Sequence, residues 1–110
     1  MKNVEECARF IRENAGSYGN AKGRRVYLEE FRKSKKALLM KDALRKGIEA
    51  ANAQEREAYA NPEYRELLEG LAAAIEDEET LKWKIEAARL DIEIWRTRQA
   101  TERMVIRSHE

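Results

Sequence analysis

The chain has 110 residues, of which 39% are charged and 43% apolar, and its net charge is +1. That length fits one domain or less, the near-neutral sum gives no reason to expect a polyanion-binding role, and the shortage of large apolar side chains argues against a compact globule. A composition rich in Ala, Glu, Lys, Leu and Arg, with one proline and five glycines, predicts long helices. The expected fold is therefore all-α: a long antiparallel two-helix hairpin, coiled-coil-like, with a short N-terminal helix.

A single helical domain over 1–110 is expected, divided into a short helix at 1–15, a loop at 16–24 and long helices at 25–60 and 62–107. In the first helix, read from residue 2, Val4, Cys7, Ala8 and Ile11 recur at helical spacing, with Phe10 beside them. Asn14-Ala15-Gly16 reads as its stop, and the glycines at 16, 19 and 23 read as a loop.

The second helix begins near Tyr27. Its stripe is Ala37, Met40, Leu44, Gly47, Ala51, Gln54 and Ala58, with Tyr27, Phe31 and Leu38 continuing the apolar face toward its start. Asn61-Pro62 then reads as a tight helix–helix turn, the alternative being a kink within one continuous helix. Asn suits an N-cap, Pro suits the first helical position, and the residue before Pro tends to leave the α region. The third helix carries a heptad stripe of Tyr64, Leu67, Leu71, Ala74, Glu78, Leu81, Ile85, Ala88, Ile92, Trp95, Gln99, Glu102 and Ile106. Folding at Pro62 would set Ala51 near Leu71, Leu44 near Glu78, Ala37 near Ile85 and Phe31 near Ile92. The first helix would pack near Trp95 and Phe31. Glu78 falls inside the seam, where it would pair with Lys41 or Arg45 or set register or oligomer state.

No residues are arranged for catalysis. His109 is the only histidine and sits beside the terminus, Cys7 lies on an apolar stripe, and Glu76-Asp77-Glu78-Glu79 splays around a helix instead of converging on a cation. The glycines match neither phosphate-loop pattern. The expectation is no enzyme, no cofactor and no metal site. A lone cysteine gives no disulfide framework, no apolar run approaches the ~18 residues a bilayer span needs, and the charged residues 1–14 do not read as a secretory leader. A soluble, cytoplasmic protein with no membrane contact is expected.

Charge is unevenly distributed. Residues 22–46 carry 10 cations and 3 anions, residues 47–93 carry 5 and 13, and residues 94–110 carry 4 and 2. Lys22, Arg24, Arg25, Arg32, Lys33, Lys35, Lys36 and Lys41 open the second helix. A fold at Pro62 would bring Arg96, Arg98, Arg103 and Arg107 to the same end, with Tyr18, Tyr27, Phe31 and Trp95 nearby. Clustered cations with aromatics suit phosphates and unpaired bases. Candidate nucleic-acid contacts are therefore Arg24, Arg25, Arg32, Lys33, Lys35, Lys36, Arg96, Arg98 and Arg103. Phe31 and Trp95 also lie on apolar seams, where core packing explains them better than base stacking does.

The stretch YLEEFRKSKKALLM from Tyr27 to Met40, with REAYANPEY from Arg56 to Tyr64 and IWRTRQA from Ile94 to Ala100, resembles small helical proteins of tailed phages and prophages. The likeness covers residues 27–103. Such proteins are often encoded near recombination and replication genes. The resemblance implies an accessory role in the bacterial host cytoplasm, and it supplies no site residues. Two functions remain open: a phage-type accessory or adaptor acting through helix–helix contacts, with itself (a dimer above all) or with a phage or host protein, and an accessory protein that binds DNA or RNA through the basic end.

Overall fold

The computed structural model describes residues 3–109. They form three helices, α1 (Val4–Arg45), α2 (Ala51–Ala60) and α3 (Pro62–Ser108), and no strand occurs among the described residues. The fold is all-α, and its two long helices run antiparallel. The short helix is α2, which stands between them in the chain; among the described residues the first element is the long α1, not a separate short helix. None of the described helices is long and apolar enough to cross a membrane.

Asn3 starts α1 by accepting the Glu6 backbone N–H at 2.8 Å, and Glu5 and Glu6 place negative charge in the first turn. The expected start at residue 2 lies outside the described residues. The expected loop at 16–24 is not formed, because α1 continues through it. Its buried face explains why. Cys7, Ala21, Leu39 and Ala43 are buried, and Val4, Ile11, Asn14, Tyr18, Arg25, Leu28, Arg32 and Lys35 are half-buried. These positions alternate in spacings of three and four straight through the glycine stretch. Packing of that stripe outweighs the ~1 kcal/mol that each helical glycine costs relative to alanine. Gly16, Gly19 and Gly23 lie off the stripe and are exposed.

The expected helix over 25–60 is also interrupted. The Ile48 N–H donates to the Ala43 carbonyl at 3.1 Å and the Gly47 N–H to that of Leu44 at 3.0 Å, while Gly47 adopts φ +98°. This pair of bonds around a left-handed residue is a Schellman stop, which glycine favours because it has no Cβ to clash. After α2, Asn61 is extended at φ −66° and ψ 131°, and its side chain accepts the Glu63 N–H at 2.8 Å. Pro62 then opens α3, as read from the sequence.

The chain divides into two units, Asn20–Glu78 and Met1–Gly19 with Glu79–Glu110. Inside Asn20–Glu78, Lys35 meets Glu63 while Arg24 and Arg25 meet Asp77 and Glu78, so α1 and α3 are antiparallel. Leu39, Ala58 and Tyr64 form a small core with Met40 against it. The pairing expected from a fold at Pro62 is therefore wrong. Glu78 faces Arg25, not Leu44, Lys41 or Arg45. The reversal is spread over residues 46–61 instead of 60–62, which moves the partner on α1 by nineteen residues.

In the other unit the same two helices are again antiparallel. The Cys7 Sγ lies 4.0 Å from the Asp91 Oδ2, and Phe10 lines a groove with Ala87 and Ala88. The start of α1 thus packs on residues 84–91 of α3, and not against Phe31 as expected.

The stripe read on α3 is correct over most of its length. Tyr64, Leu71, Ala74, Glu78 and Ala88 are buried, and Leu67, Leu81, Ile85, Ile92 and Gln99 are half-buried. Trp95, expected on the stripe, is 40% exposed, and beyond Gln99 the stripe fails altogether, since Glu102 and Ile106 are exposed with every other residue from 100 to 109.

Candidate interaction surfaces

The basic residues of α1 are mostly engaged by carboxylates within Asn20–Glu78. Arg25 donates through Nε and Nη2 to Glu78 and through Nη1 to Glu29 at 3.1 Å. Bidentate guanidinium–carboxylate contact of this kind is among the stronger polar interactions. The two carboxylates, Glu78 first, hold the Arg25 guanidinium above its ordinary range. Lys35 reaches Glu63 at 2.8 Å and draws that carboxyl below its ordinary range. Lys36 reaches Glu55 at 3.0 Å and lies 4.8 Å from the Tyr59 ring centre. The Tyr59 hydroxyl and Glu55 raise the Lys36 ammonium, and Lys36, then Tyr59, lowers Glu55.

Lys33 pairs with Glu30 at 3.2 Å, and Arg24 with Asp77 at 3.6 Å. Arg32 is half-buried on the inner stripe of α1. The exposed Lys22 and Lys41 make no ion pair among the described residues.

Arg96, Arg98 and Arg103 fall in the other unit, so the two basic groups are not brought together within either one. Opposite residues 24–35 stand the α3 residues 63–78, because of the reversal described above. Arg96 pairs with Glu93 at 2.9 Å. Arg98, Arg103 and Arg107 are exposed. Trp95, Arg96, Gln99 and Arg103 line a shallow depression of 300 Å³. Tyr18 is half-buried on α1.

The structure offers a surface that the sequence reading placed in the core. Tyr27 is 64%, Phe31 38% and Leu38 56% exposed, and the Tyr27 and Phe31 rings stack at 5.9 Å. In the other unit Trp83, Leu90, Ile94, Met104, Val105 and Ile106 are exposed along α3. A signal for the first group was present. The three-and-four spacing from Val4 through Leu28, followed past Tyr27, selects Arg32, Lys35 and Leu39 as the inner positions, which leaves Tyr27, Phe31 and Leu38 outside.

A groove of 760 Å³ runs past the buried Cys7, Phe10, Ala87 and Ala88, with Glu6, Lys84 and Asp91 at its edges. Among the described residues no group of three or more His, Cys, Asp or Glu side chains is placed to hold a metal ion. His109 is exposed. Comparison with protein-family models, with curated proteins and with solved structures finds no match to this chain.

Proposed function

We propose that this protein is a phage-type accessory or adaptor of the bacterial cytoplasm that works without catalysis, by helix–helix association with itself, as a dimer, or with a protein partner. The observation that supports it most is the exposure of large apolar side chains in each unit, Tyr27 and Leu38 on α1 in one and Met104, 70% exposed, on α3 in the other. Contiguous exposed apolar strips rimmed by charge mark protein-binding faces. Helices of this length gain most of their stability from packing an apolar face, so partners for these strips are expected. The engagement of Arg24, Arg25, Lys33, Lys35 and Lys36 by carboxylates lowers the standing of a phosphate-binding surface on α1.

One observation favours the second function, nucleic-acid binding. Arg96, Arg103 and Arg107 recur at spacings of seven and four on the exposed end of α3, beside Trp95. A pull-down from host lysate with and without nuclease separates the two. Partner capture that survives nuclease supports the adaptor function. Binding of DNA or RNA that weakens with salt, at a log–log slope of about −0.7 to −0.9 per neutralised phosphate, supports the alternative.

A further inference from the structure

We propose that the outer face of α3 from Trp83 to Ser108 pairs antiparallel with the same face of a second copy, centred between Trp95 and Arg96. The proposal rests on the association function above and assigns it a surface, a direction and a register.

From Trp83 to Ser108 the outer positions of α3 step by four and three, the spacing of a coiled-coil seam. All of them are exposed, Trp83 and Leu90 at 61% and Met104 at 70%. At 3.6 residues per turn they lie opposite the inner stripe of Ala88 and Ile92. Larger and smaller side chains are distributed unevenly along this seam, and antiparallel pairing about residues 95 and 96 matches them. It sets Trp83 on the partner's Ser108, Met104 on the partner's Ala87, Leu90 on the partner's Thr101 and Ile94 on the partner's Thr97. Each layer then joins one larger side chain to one smaller, which fills a seam evenly.

Charge selects the same register. The positions that flank a seam decide partner and orientation. Arg98 and Arg107 are exposed and make no ion pair among the described residues, and Asp91 makes none there either. In this register Arg98 meets the partner's Asp91 and Arg107 meets the partner's Glu86. The two-fold axis repeats both matches. Glu86 touches Arg89 at 3.0 Å, but its side chain is 41% exposed and open to a second cation. The remaining flanks set Lys84 beside the partner's Val105 and Glu93 beside the partner's Ala100, so no like charges oppose. A slide of one heptad in one direction would set Asp91 on the partner's Asp91 and Glu93 on the partner's Glu93. A slide in the other would set Arg98 on the partner's Arg98. Parallel pairing would set Glu86 beside the partner's Asp91 and match every layer like with like.

Residues 100–109 supply an independent reason for a helical occupant. Every one is exposed, and a helical segment of that length without packing is marginal in water. The proposed register lays residues 100–108 along residues 83–91 of the second copy, the stretch of α3 that is backed by the start of α1 through Cys7.

The test measures the mass of the full chain by light scattering coupled to size exclusion at tens of micromolar. The wild type is expected at twice 12.8 kDa. Leu90→Glu with Met104→Glu is expected to run as a monomer, with Cys7 still protected from a thiol reagent, which shows that the packing of α1 on α3 survives. Arg98→Asp alone and Asp91→Arg alone should each lose most of the dimer, and an equimolar mixture of the two should recover it. A dimer that persists in Leu90→Glu with Met104→Glu overturns this surface and leaves the association function standing. A dimer strengthened by Asp91→Arg alone overturns the antiparallel direction, since a parallel pair would bring that arginine to Glu86. A mixture that stays monomeric overturns the register. A monomeric wild type overturns the self-association, and leaves capture of a different protein partner to be decided by the pull-down.

Discussion

Arg25 of α1 and Glu78 of α3 form a two-pronged ion pair in the seam between the helices, and Glu29, one turn along α1, takes the third guanidinium contact. Glu78 is 7% exposed and is the one buried charged side chain among the described residues. A carboxylate there persists because its oxygens are occupied by donors.

Removing it should therefore cost more than a surface substitution. Glu78→Ala is expected to destabilise the protein by about 1–3 kcal/mol, because a buried acceptor is lost and a gap is left. Replacing both partners, Arg25→Leu with Glu78→Leu, should recover most of that loss, as apolar residues often match a buried ion pair in stability. Urea unfolding of Arg25→Leu, Glu78→Leu and the double variant, analysed as a cycle, measures the coupling. A double variant no better than Glu78→Ala would contradict the assignment.

The three glycines inside α1 predict gains. Gly16, Gly19 and Gly23 are exposed, helical, and have open space where a Cβ would stand. Each change to alanine should stabilise by about 0.5–1 kcal/mol through helix propensity and a less flexible unfolded chain. The midpoint in urea should rise with each substitution and nearly additively. No change, or a fall, would mean that these backbones are not helical.

Gly47 should behave in the opposite sense. Its φ of +98° is a conformation that side chains with a Cβ rarely adopt, although nothing crowds the site. Gly47→Ala is expected to cost about 1 kcal/mol or more, by strain at the end of α1. Thermal unfolding followed at 222 nm compares this variant directly with Gly16→Ala, and the two shifts should differ in sign.

The outline of the fold was legible in the sequence, and the pairing was not. On α3 the inner stripe is apolar apart from Glu78 and Gln99, so hydrophobic periodicity marks it. On α1 they include Asn14, Arg25, Arg32 and Lys35, whose long or polar side chains conceal the stripe, while Tyr27, Phe31 and Leu38 advertise the outer face. The reversal was misplaced because Pro62 is conspicuous and Gly47 reads as a tolerated interior glycine. The basic Arg45-Lys46 pair just before it is a helix-stop signature that outranks the proline here. That residues 63–78 of α3, and not Arg96, Arg98 and Arg103, stand opposite residues 24–35 of α1 was missed through that one error. The exposed aromatic strip was readable in principle, by extending the spacing from Val4 through the glycines.

Acid should weaken Asn20–Glu78 in a defined window. Lys35 lowers the Glu63 carboxyl, and Lys36 with Tyr59 lowers that of Glu55. A lowered carboxyl means that the unfolded chain binds protons first. The stabilisation is complete above the ordinary glutamate value of about 4.3 and is lost as pH falls through the lower folded values. The raised Lys36 acts in reverse, stabilising below about pH 10.4 and losing its effect above it. Melting temperature should thus decline between about pH 5 and 3. Lys35→Gln with Lys36→Gln should flatten that decline, and added salt should shrink it, since these pairs are solvent-accessible. An acid limb of unchanged steepness in the double variant would assign it to other carboxylates.

Cys7 is the chain's only cysteine and is 1% exposed. A thiol reagent reaches its sulfur only when the start of α1 lifts from residues 84–91 of α3. The unaltered protein therefore contains a clock for that opening. Labelling time courses give its frequency when the reagent is in excess and its equilibrium when the reagent is scarce. Motion in one segment can be timed this way without attaching a probe or changing a residue.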